Sequence, residues 1–337
     1  MSSSIVDAPS TAGAIELKST APLAFLYEHP QCFNPIFQEL DRRGVAYTKI
    51  HAPEHFYAAG ETAPAFSVLF NRMSPSADRR EHGSAIFHTL AWLGQLELQG
   101  IRVLNGTEAF RYEVSKAVQL SLLSSLGIPY PKSRVIHDPR HAVAATEGLR
   151  FPVVVKPNVG GSGAGIVRFN TREELQAAID AGTLHLGFDH TGLVQEFIPA
   201  RGGHITRVET LAGKYLYAIN VHLTGETFDL CPADICQTAR GESLANACVI
   251  EGAKAGLKVE GYTPPAEVID AVERIVRAAR IDVGGIEYVI DDRDGQIYCY
   301  DVNALSNFVA DAPRVIGFNP FLNLADFLEA EVAHALN

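Results

Sequence analysis

The strongest structural constraint in the sequence is a β-hairpin close to its C-terminal end. Residues 283–307 read VGGIEYVIDDRDGQIYCYDVNALSN, and two runs within them, 286–290 and 297–302, alternate apolar and polar side chains. Such alternation is typical of strands, and the glycine-containing turn between the runs predicts a hairpin. We expect a three-residue loop at 293–295, with Gly295 in the left-handed conformation that this loop requires.

The predicted hairpin brings two carboxylates together. A loop centred on Asp294 pairs Glu287 with Asp301 across the strands, and Asn303 lies on the same face as Asp301. Like charges directly opposite each other destabilise a sheet, so we expect a cation between them. Oxygen ligands suit magnesium or manganese better than zinc. The alternative is a solvated edge of the sheet that binds no ion.

A second stretch, 151–169, reads FPVVVKPNVGGSGAGIVRF and predicts a glycine-rich flap between two strands. Its first strand ends in Lys156, and its loop contains Gly160, Gly161, Ser162, Gly163 and Gly165. A P-loop or a dinucleotide fingerprint needs a helix directly after the glycines, whereas here a strand follows. Backbone N–H groups of such a flap can bind phosphate oxygens, with Lys156 as a point charge at its root. The alternative is a long flexible turn without a ligand.

The part of the chain before the flap predicts an α/β domain. Strands alternate with helices over residues 22–106, which favours a parallel sheet with helices on both faces. Arg72 follows the third predicted strand, where such sheets bind ligands, and is a candidate for an anionic group. The alternative is a surface arginine in a loop. Glu28-His29-Pro30 follows the first strand in place of GxGxxG, which disfavours a dinucleotide-dependent oxidoreductase.

Two further segments carry candidate residues. One helix is predicted over 107–126, with Lys116 near its middle, where lysines are usually solvated. The run LVQEFI at 193–198 predicts a buried strand interrupted by Gln195 and Glu196. If a backbone edge of this strand is exposed, it could pair with the edge of a purine.

Composition limits the partners and the setting. The net charge of −11 disfavours nucleic acid as a partner. No apolar run reaches the roughly 20 residues that span a bilayer, so we expect no membrane insertion. The five cysteines are scattered and form no CxxC pair, which predicts free thiols in a reducing cytoplasm.

Taken together, these stretches resemble the ATP-grasp superfamily, most closely its RimK-type amino-acid ligases and their glutathione-synthetase-like relatives. The resemblance runs from about residue 22 to the C-terminus, and its motifs follow the family's order: Arg72, Lys116, Lys156 with GGSGAG, VQEFI, Arg207, Glu287 and DVN at 301–303. It implies a mixed α/β and α+β chain with the ATP-grasp fold and an N-terminal Rossmann-like, pre-ATP-grasp domain. The implied division is a disordered leader (1–20), the N-terminal domain (21–106), a central ATP-grasp subdomain with the flap (107–197) and a C-terminal subdomain with the metal site (198–337).

The resemblance also implies a role for each candidate residue. ATP would contact Lys116, Lys156, Gly161, Ser162, Gly163, Gly165, Gln195, Glu196, Phe197 and Ile198. Mg²⁺, with Mn²⁺ possible, would bind Glu287, Asp301 and Asn303. Arg207 and Arg240 are candidates for steadying an acyl phosphate. Arg72, His204 and Asn307 are candidates for substrate contacts.

The family's reaction joins a carboxylate to an amine through an acyl phosphate and releases ADP and phosphate. By the resemblance the substrates are small molecules, with an amino acid or peptide as acceptor, and the protein is a homodimer or homotetramer. The sequence departs from the family's pattern at Ile205, where an acidic residue is usual, at Asp301, where Glu is commoner, and at 304–308, where ALSNF replaces a Ser-Pro-Gly run. The alternative is a non-catalytic ATP-binding module for sensing or scaffolding.

Overall fold

The computed structural model describes residues 21–29, 32–60, 62, 64–161, 163–223 and 258–337. These residues form three β-sheets with helices packed around them, the mixed α/β and α+β architecture that was predicted. The predicted leader, Ser162 and Arg240 lie outside the described residues.

The first sheet is parallel and lies within residues 22–106, as the alternation of strands and helices predicted. Its spatial order is β2-β1-β3-β4, with β1 (Leu23–Tyr27), β2 (Tyr47–His51), β3 (Val68–Arg72) and β4 (Arg102–Leu104). Helices α1 (Asn34–Arg43) and α2 (Ser84–Leu98) connect its strands. The strand order reverses between β1 and β3, so the carboxyl ends of these two strands border the crevice where ligands of such sheets bind.

The last helix, α9 (Pro320–Ala335), packs against α1 of the first domain. Leu324 of α9 and Phe25 of β1 belong to the same apolar core. Arg43 of α1 also forms an ion pair with Asp326 at 2.6 Å. The two ends of the described chain therefore stabilise each other by sharing buried apolar surface.

The helix predicted over 107–126 is two helices, α3 (Thr107–Glu113) and α4 (Lys116–Ser125). Ser115 interrupts them because it is the N-cap of α4, with its hydroxyl accepting from the backbone N–H of Val118 at 3.3 Å. Lys116 is therefore the first residue of a helix, and the prediction that it lies mid-helix is wrong. The break turns Lys116 towards the hairpin.

The second sheet is antiparallel, in the order β5-β8-β6-β7. Its strands are β5 (Ser133–Ile136), β6 (Val153–Pro157), β7 (Val167–Phe169) and β8 (Gly192–Glu196), accompanied by α5 (Ala142–Ala145) and α6 (Arg172–Asp180). Strand β8 pairs with β5 on one side and β6 on the other. The exposed edge considered for 193–198 is therefore absent over 192–196, because the unpredicted strand β5 occupies it.

The third sheet is antiparallel, in the order β11-β10-β9-β12-β13. Its strands are β9 (His204–Leu211), β10 (Lys214–His222), β11 (Val259–Tyr262), β12 (Val283–Ile290) and β13 (Ile297–Asn303). Helix α7 (Ala266–Ala278) buries Val268, Val272 and Ile275 against this sheet, and the short α8 (Ala312–Ile316) follows the hairpin.

The predicted hairpin is β12 and β13, but its loop is longer than expected. Asp291 donates its backbone N–H to Gln296 at 2.9 Å, so the loop comprises 292–295, with Gly295 at φ 78°. The register then shifts by one residue between Tyr288 and Glu287, a β-bulge at Tyr300. The two changes cancel, so Glu287 is opposite Asp301 as predicted, although the three-residue loop was wrong.

Asn105, at the end of β4, joins the first sheet to the hairpin. Its side-chain amide donates to the carbonyl oxygens of Val283, at 2.7 Å, and Ala304, and its oxygen accepts from the backbone N–H of Asp282 at 2.8 Å. Asn105 itself has φ 50°, a conformation that asparagine tolerates better than most residues. These buried bonds align the end of the hairpin with the crevice of the first sheet.

The two described cysteines differ in their bonding. Cys299 is a buried free thiol, but Cys32 is disulfide-bonded, so the prediction of free thiols is wrong at Cys32. The other three cysteines lie outside the described residues. Across the described ranges, no helix has the length and apolar character needed to cross a membrane.

Candidate active site

The two carboxylates of the hairpin each contact a cation. Asp301 Oδ1 accepts from Lys116 Nζ at 3.1 Å, and Glu287 Oε1 accepts from Arg207 Nη1 at 3.1 Å. Lys116 comes from the first turn of α4, and Arg207 comes from β9, directly opposite Glu287 in the sheet register. The repulsion within the pair was the reason to expect a bound metal ion. Two side-chain cations already offset part of that repulsion, so the repulsion alone does not require a metal ion.

The β-bulge adds a residue that the sequence did not reveal. Because Tyr300 and Asp301 together oppose Glu287, the Tyr300 hydroxyl can donate to Glu287 Oε2, at 2.9 Å. Glu287 is thereby held at both oxygens, by Arg207 and by Tyr300. A one-residue bulge leaves no signal in the alternation of β13, so only the coordinates identify Tyr300.

The pKa values of the two carboxylates are shifted in opposite directions. Burial raises the pKa of Glu287, and Arg207 offsets part of that rise. Burial also acts to raise the pKa of Asp301, but Lys116 and Lys156 outweigh it, so the pKa of Asp301 lies below its ordinary value. Asp301 is therefore the more firmly ionised of the pair.

Asn303 completes the donor set that was predicted for a metal ion. Its amide nitrogen is buried and has no hydrogen-bond partner in the described structure. That nitrogen is a donor and cannot ligate a cation, so the fit to a hard divalent cation rests on oxygen atoms, those of the two facing carboxylates and of the Asn303 amide. The described side chains form no cluster of three or more His, Cys, Asp or Glu that could hold a metal, so the candidate set is two carboxylates and one amide.

Lys156 lies beside this acidic pair, at the end of β6. It is 4% exposed and makes no hydrogen bond or ion pair within the described part of the chain. Burial, followed by repulsion from Lys116, lowers the pKa of Lys156 to about 8. Burial acts to lower the pKa of Lys116 as well, but Asp301 outweighs it and the pKa is raised. The two predicted lysines therefore share one site, and Lys156 has its charge available for a ligand.

The predicted flap connects β6 to β7 and lies against the first domain. Gly163 and Gly165 have φ 72° and 74°, which L-residues rarely adopt. The Gly160 carbonyl accepts from Lys116 Nζ at 3.3 Å. A side chain on Gly161 would lie 3.8 Å from Ser76, so the flap backbone reaches the loop after β3.

The VQEFI segment does not bring its side chains to the lysines. Gln195 donates to the Ser133 hydroxyl at 2.7 Å, and Glu196 accepts from the backbone N–H of Arg150 at 2.9 Å. The backbone N–H of Phe197 donates to Pro152 at 3.0 Å. Ile198 is buried in the core that the first and third sheets share.

Arg207 also pairs with Glu209, a buried acid that sequence reasoning missed. Arg207 Nε donates to Glu209 Oε1 at 2.6 Å, and Glu209 also accepts from the Ser306 hydroxyl. A side chain at Gly285 would approach Glu209 to 2.8 Å, so this glycine makes room for the pair. The chain thus has an acid two residues after Arg207. The family pattern had predicted one two residues before Arg207, at the position of Ile205.

The segment after Asn303 is held by residues from two other elements, α3 and β3. Glu113 of α3 accepts from the backbone N–H groups of Ala304 and of Leu305, the latter at 3.0 Å. Arg72 of β3 donates to the Ser306 carbonyl and, at 2.7 Å, to Asn307 Oδ1. Glu113 was also missed, and burial followed by repulsion from Asp301 raises its pKa to about 7.

The predicted substrate residues are not all in one place. Arg72 is 3% exposed, so the alternative of a surface arginine is wrong, and it contacts Asn307 directly. His204 contacts the Gly202 carbonyl at 3.3 Å and the His222 ring, and none of its described contacts reaches the other candidates.

We expect Asp301→Ala to lower the stability of the metal-free protein, because it leaves the buried Lys116 ammonium without its counter-ion. The loss should be about 2–3 kcal/mol in the free energy of unfolding, below the full cost of a completely buried pair. Chemical denaturation near pH 7 in EDTA measures it, with Asp301→Asn as the isosteric control. An unchanged or higher stability would mean that Glu287 repulsion dominates.

Comparisons of the sequence with known proteins identify several relatives. Residues 114–222 match the family model of the RimK-like ATP-grasp domain. A probable alpha-L-glutamate ligase of Alcanivorax borkumensis is 24% identical over 267 residues, which cover 74% of this chain and 83% of the relative. A D-alanine–D-alanine ligase of Pseudomonas entomophila is 29% identical over 212 residues, 62% of this chain and 60% of the relative.

The fold is also that of solved ATP-grasp ligases. The structure of the ATP-grasp ligase PsnB complexed with a minimal precursor superposes with a TM-score of 0.65 at 18% identity, over 93% of this chain and 99% of that one. The chain therefore has the fold of the ATP-grasp ligases, and its residues 114–222 are similar to the RimK-like ATP-grasp domain.

Proposed function

We propose that the cluster of Lys116, Lys156, Arg207, Glu287 and Asp301 is the centre at which this ligase activates a carboxylate with ATP. The resulting acyl phosphate is attacked by an amine, which gives the amide and releases phosphate beside ADP. The observation that carries the proposal is the convergence of three cations and two acids from separate elements in one buried place. Phosphoryl transfer to an anion requires charge neutralisation and positioning more than a nucleophilic side chain.

The triphosphate is assigned to Lys116, Lys156 and the flap residues Gly161, Ser162, Gly163 and Gly165. Lys156 supports this because it is buried and has no anionic partner in hydrogen-bond distance among the described residues. The adenine is assigned to the segment Gln195, Glu196, Phe197 and Ile198. Since the Gln195 and Glu196 side chains and the Phe197 N–H already have partners, the remaining backbone groups of Phe197 and Ile198 are the better candidates.

Glu287, Asp301 and Asn303 are assigned to Mg²⁺, with Mn²⁺ as an alternative. When bound, a divalent cation neutralises charge that develops on the transferred phosphoryl group. Tyr300 keeps Glu287 oriented, and Lys116 keeps Asp301 ionised, so the chain presents both carboxylates ready for a cation. A complex of the related ligase PsnB contains Mg and ADP.

Arg207 and Arg240 are assigned to the acyl phosphate. The assignment of Arg207 is supported by its contacts with Glu287 and Glu209, which hold its guanidinium on two edges. A guanidinium fixed in this way stabilises developing negative charge without first having to reorganise.

The substrates are assigned to the amino-acid or peptide class, and Arg72, His204 and Asn307 remain the candidates that contact them. Nucleic acid is not among the proposed partners, and a homodimer or homotetramer remains a prediction.

The proposal predicts ADP and phosphate release from magnesium-ATP when a suitable pair of amino acids or peptides is present. We expect Lys156→Ala to reduce this turnover by at least about a hundredfold, as for loss of one preorganised cation at a charged transition state, while the unfolding midpoint stays near that of the wild type. Lys214→Ala, an exposed lysine of β10, is the matched control. Near-normal turnover in Lys156→Ala would refute the assignment of the flap site.

The lowered pKa of Lys156 predicts a pH dependence of nucleotide binding. Phosphate contact favours the ammonium form, so binding takes up a proton wherever free Lys156 is neutral, which is above about pH 8. The affinity for a non-hydrolysable ATP analogue should therefore be constant near neutral pH and fall up to about tenfold per pH unit above pH 8. Titration calorimetry measures the affinity, and Lys156→Arg, which stays charged, should show a flatter profile. Equal profiles for both proteins would contradict the assignment.

A further inference from the structure

Arg72 is a buried cation whose direct partners are all neutral. It is 3% exposed, and Nη2 donates to the Ser306 carbonyl and the Asn307 amide oxygen. Its other terminal nitrogen, Nη1, is buried without a hydrogen-bond partner in the described structure. No carboxylate of the described residues lies within ion-pair distance of it, in contrast to Arg207, which contacts both Glu209 and Glu287.

Burying the Arg72 guanidinium costs free energy, because the charge loses its hydration. The guanidinium lies 4.9 Å from the Phe33 ring and 5.0 Å from the Phe70 ring, and cation–π attraction offsets only a small part of the lost hydration. Burial lowers the pKa of Arg72 to about 9, and the more distant Glu113 and Glu209 only partly oppose it. A buried cation with one unused donor, and no carboxylate partner among the described residues, is suited to bind an anion from outside the chain.

The location of Arg72 makes a substrate the natural source of this anion. Arg72 is the last residue of β3, at the carboxyl ends of β1 and β3, where the strand order of the first sheet reverses. The segment that covers it, 304–309, directly follows the candidate metal ligand Asn303. Arg72 therefore lies against the segment that continues from the candidate metal site.

Asn307 covers Arg72 and can be displaced without unfolding the segment. Its amide has the planar shape of a carboxylate, and its side chain is partly exposed. The neighbouring backbone is fixed, because the Ser306 hydroxyl donates to Glu209 and the Val309 N–H donates to the Tyr217 hydroxyl at 2.8 Å. A rotation of the Asn307 side chain alone would free one N–H of Arg72 Nη2, while the bond from Nη2 to the Ser306 carbonyl stays in place.

We propose that Arg72 recognises a substrate carboxylate that is not activated, and that the Asn307 amide occupies the place of this carboxylate until the substrate binds. The inference rests on the proposed function and narrows its substrate class to amino acids or peptides that carry a free carboxylate besides any carboxylate that is activated. The amide of Asn307 contributes selectivity, because a neutral ligand gains nothing by replacing it, whereas a carboxylate gains a charge-assisted bond.

The test compares binding of three probes, L-glutamate, L-glutamine and the α-amide of L-glutamate, to protein saturated with magnesium and a non-hydrolysable ATP analogue. L-glutamine lacks the side-chain carboxylate of L-glutamate, and the α-amide lacks its α-carboxylate. Calorimetry should show at least tenfold weaker binding of one of these two amides, and the weaker one identifies the carboxylate that Arg72 recognises. Arg72→Gln should lose this discrimination. Asn307→Asp should weaken L-glutamate binding at least tenfold, because its own carboxylate occupies Arg72, and Asn307→Ala should bind at least as tightly as the wild type.

A second measurement needs no substrate. Asn307→Asp should raise the thermal unfolding midpoint above those of Asn307→Ala and of Asn323→Asp, a control that adds the same charge on the exposed side of α9. Equal midpoints would show that Arg72 needs no counter-ion and would overturn the proposal. Failure of the wild type to bind any of the three probes, or full discrimination by Arg72→Gln, would overturn it as well. Binding of the ATP analogue should be unchanged in the Asn307 variants, and its loss from wild type would instead refute the proposed nucleotide site.

Discussion

The candidate site depends on one electrostatic arrangement, the alternation of Lys116, Asp301, Glu287 and Arg207 across a bulged hairpin. At an effective dielectric of about 20, two unit charges some 4 Å apart interact by about 4 kcal/mol, so an unopposed pair of carboxylates there would weaken the sheet. The cations reverse that effect and tie the sheet to the first turn of α4. The same residues then present fixed charges to a ligand, which requires little reorganisation on binding.

This arrangement needs the β-bulge at Tyr300. Without it, the longer loop at 292–295 would shift β13 by one residue and turn Asp301 to the opposite face of the sheet. With it, two residues of β13 face Glu287, one as a hydroxyl donor and one as a second acid. The bulge therefore sets the chemistry of the site as well as its register, as is common for bulges beside functional sites.

The residue types of the site were visible in the sequence, but their contacts were not. Lysines before the flap, the flap itself and the acidic hairpin follow from local patterns, and these patterns led to the correct fold and enzyme class. Glu209, Glu113 and Tyr300 were missed because an isolated acid or tyrosine inside a strand or helix looks the same whether it packs, pairs or faces solvent. The pairing of β8 on both edges was not predicted for a similar reason: β5 is short, and its apolar and polar residues alternate only weakly.

The two buried arginines show how the same side chain can serve different purposes. Arg207 has two carboxylate partners in the ligand-free protein, so its charge is already balanced and its position is fixed. Among the described residues, Arg72 donates to a carbonyl and an amide and to no carboxylate, so its charge is unbalanced there and its position is set by Ser306 and Asn307. A balanced cation suits a step that is common to every turnover, because it does not depend on which substrate is present. An unbalanced one suits recognition, because its stabilisation is completed only by a ligand of the right charge.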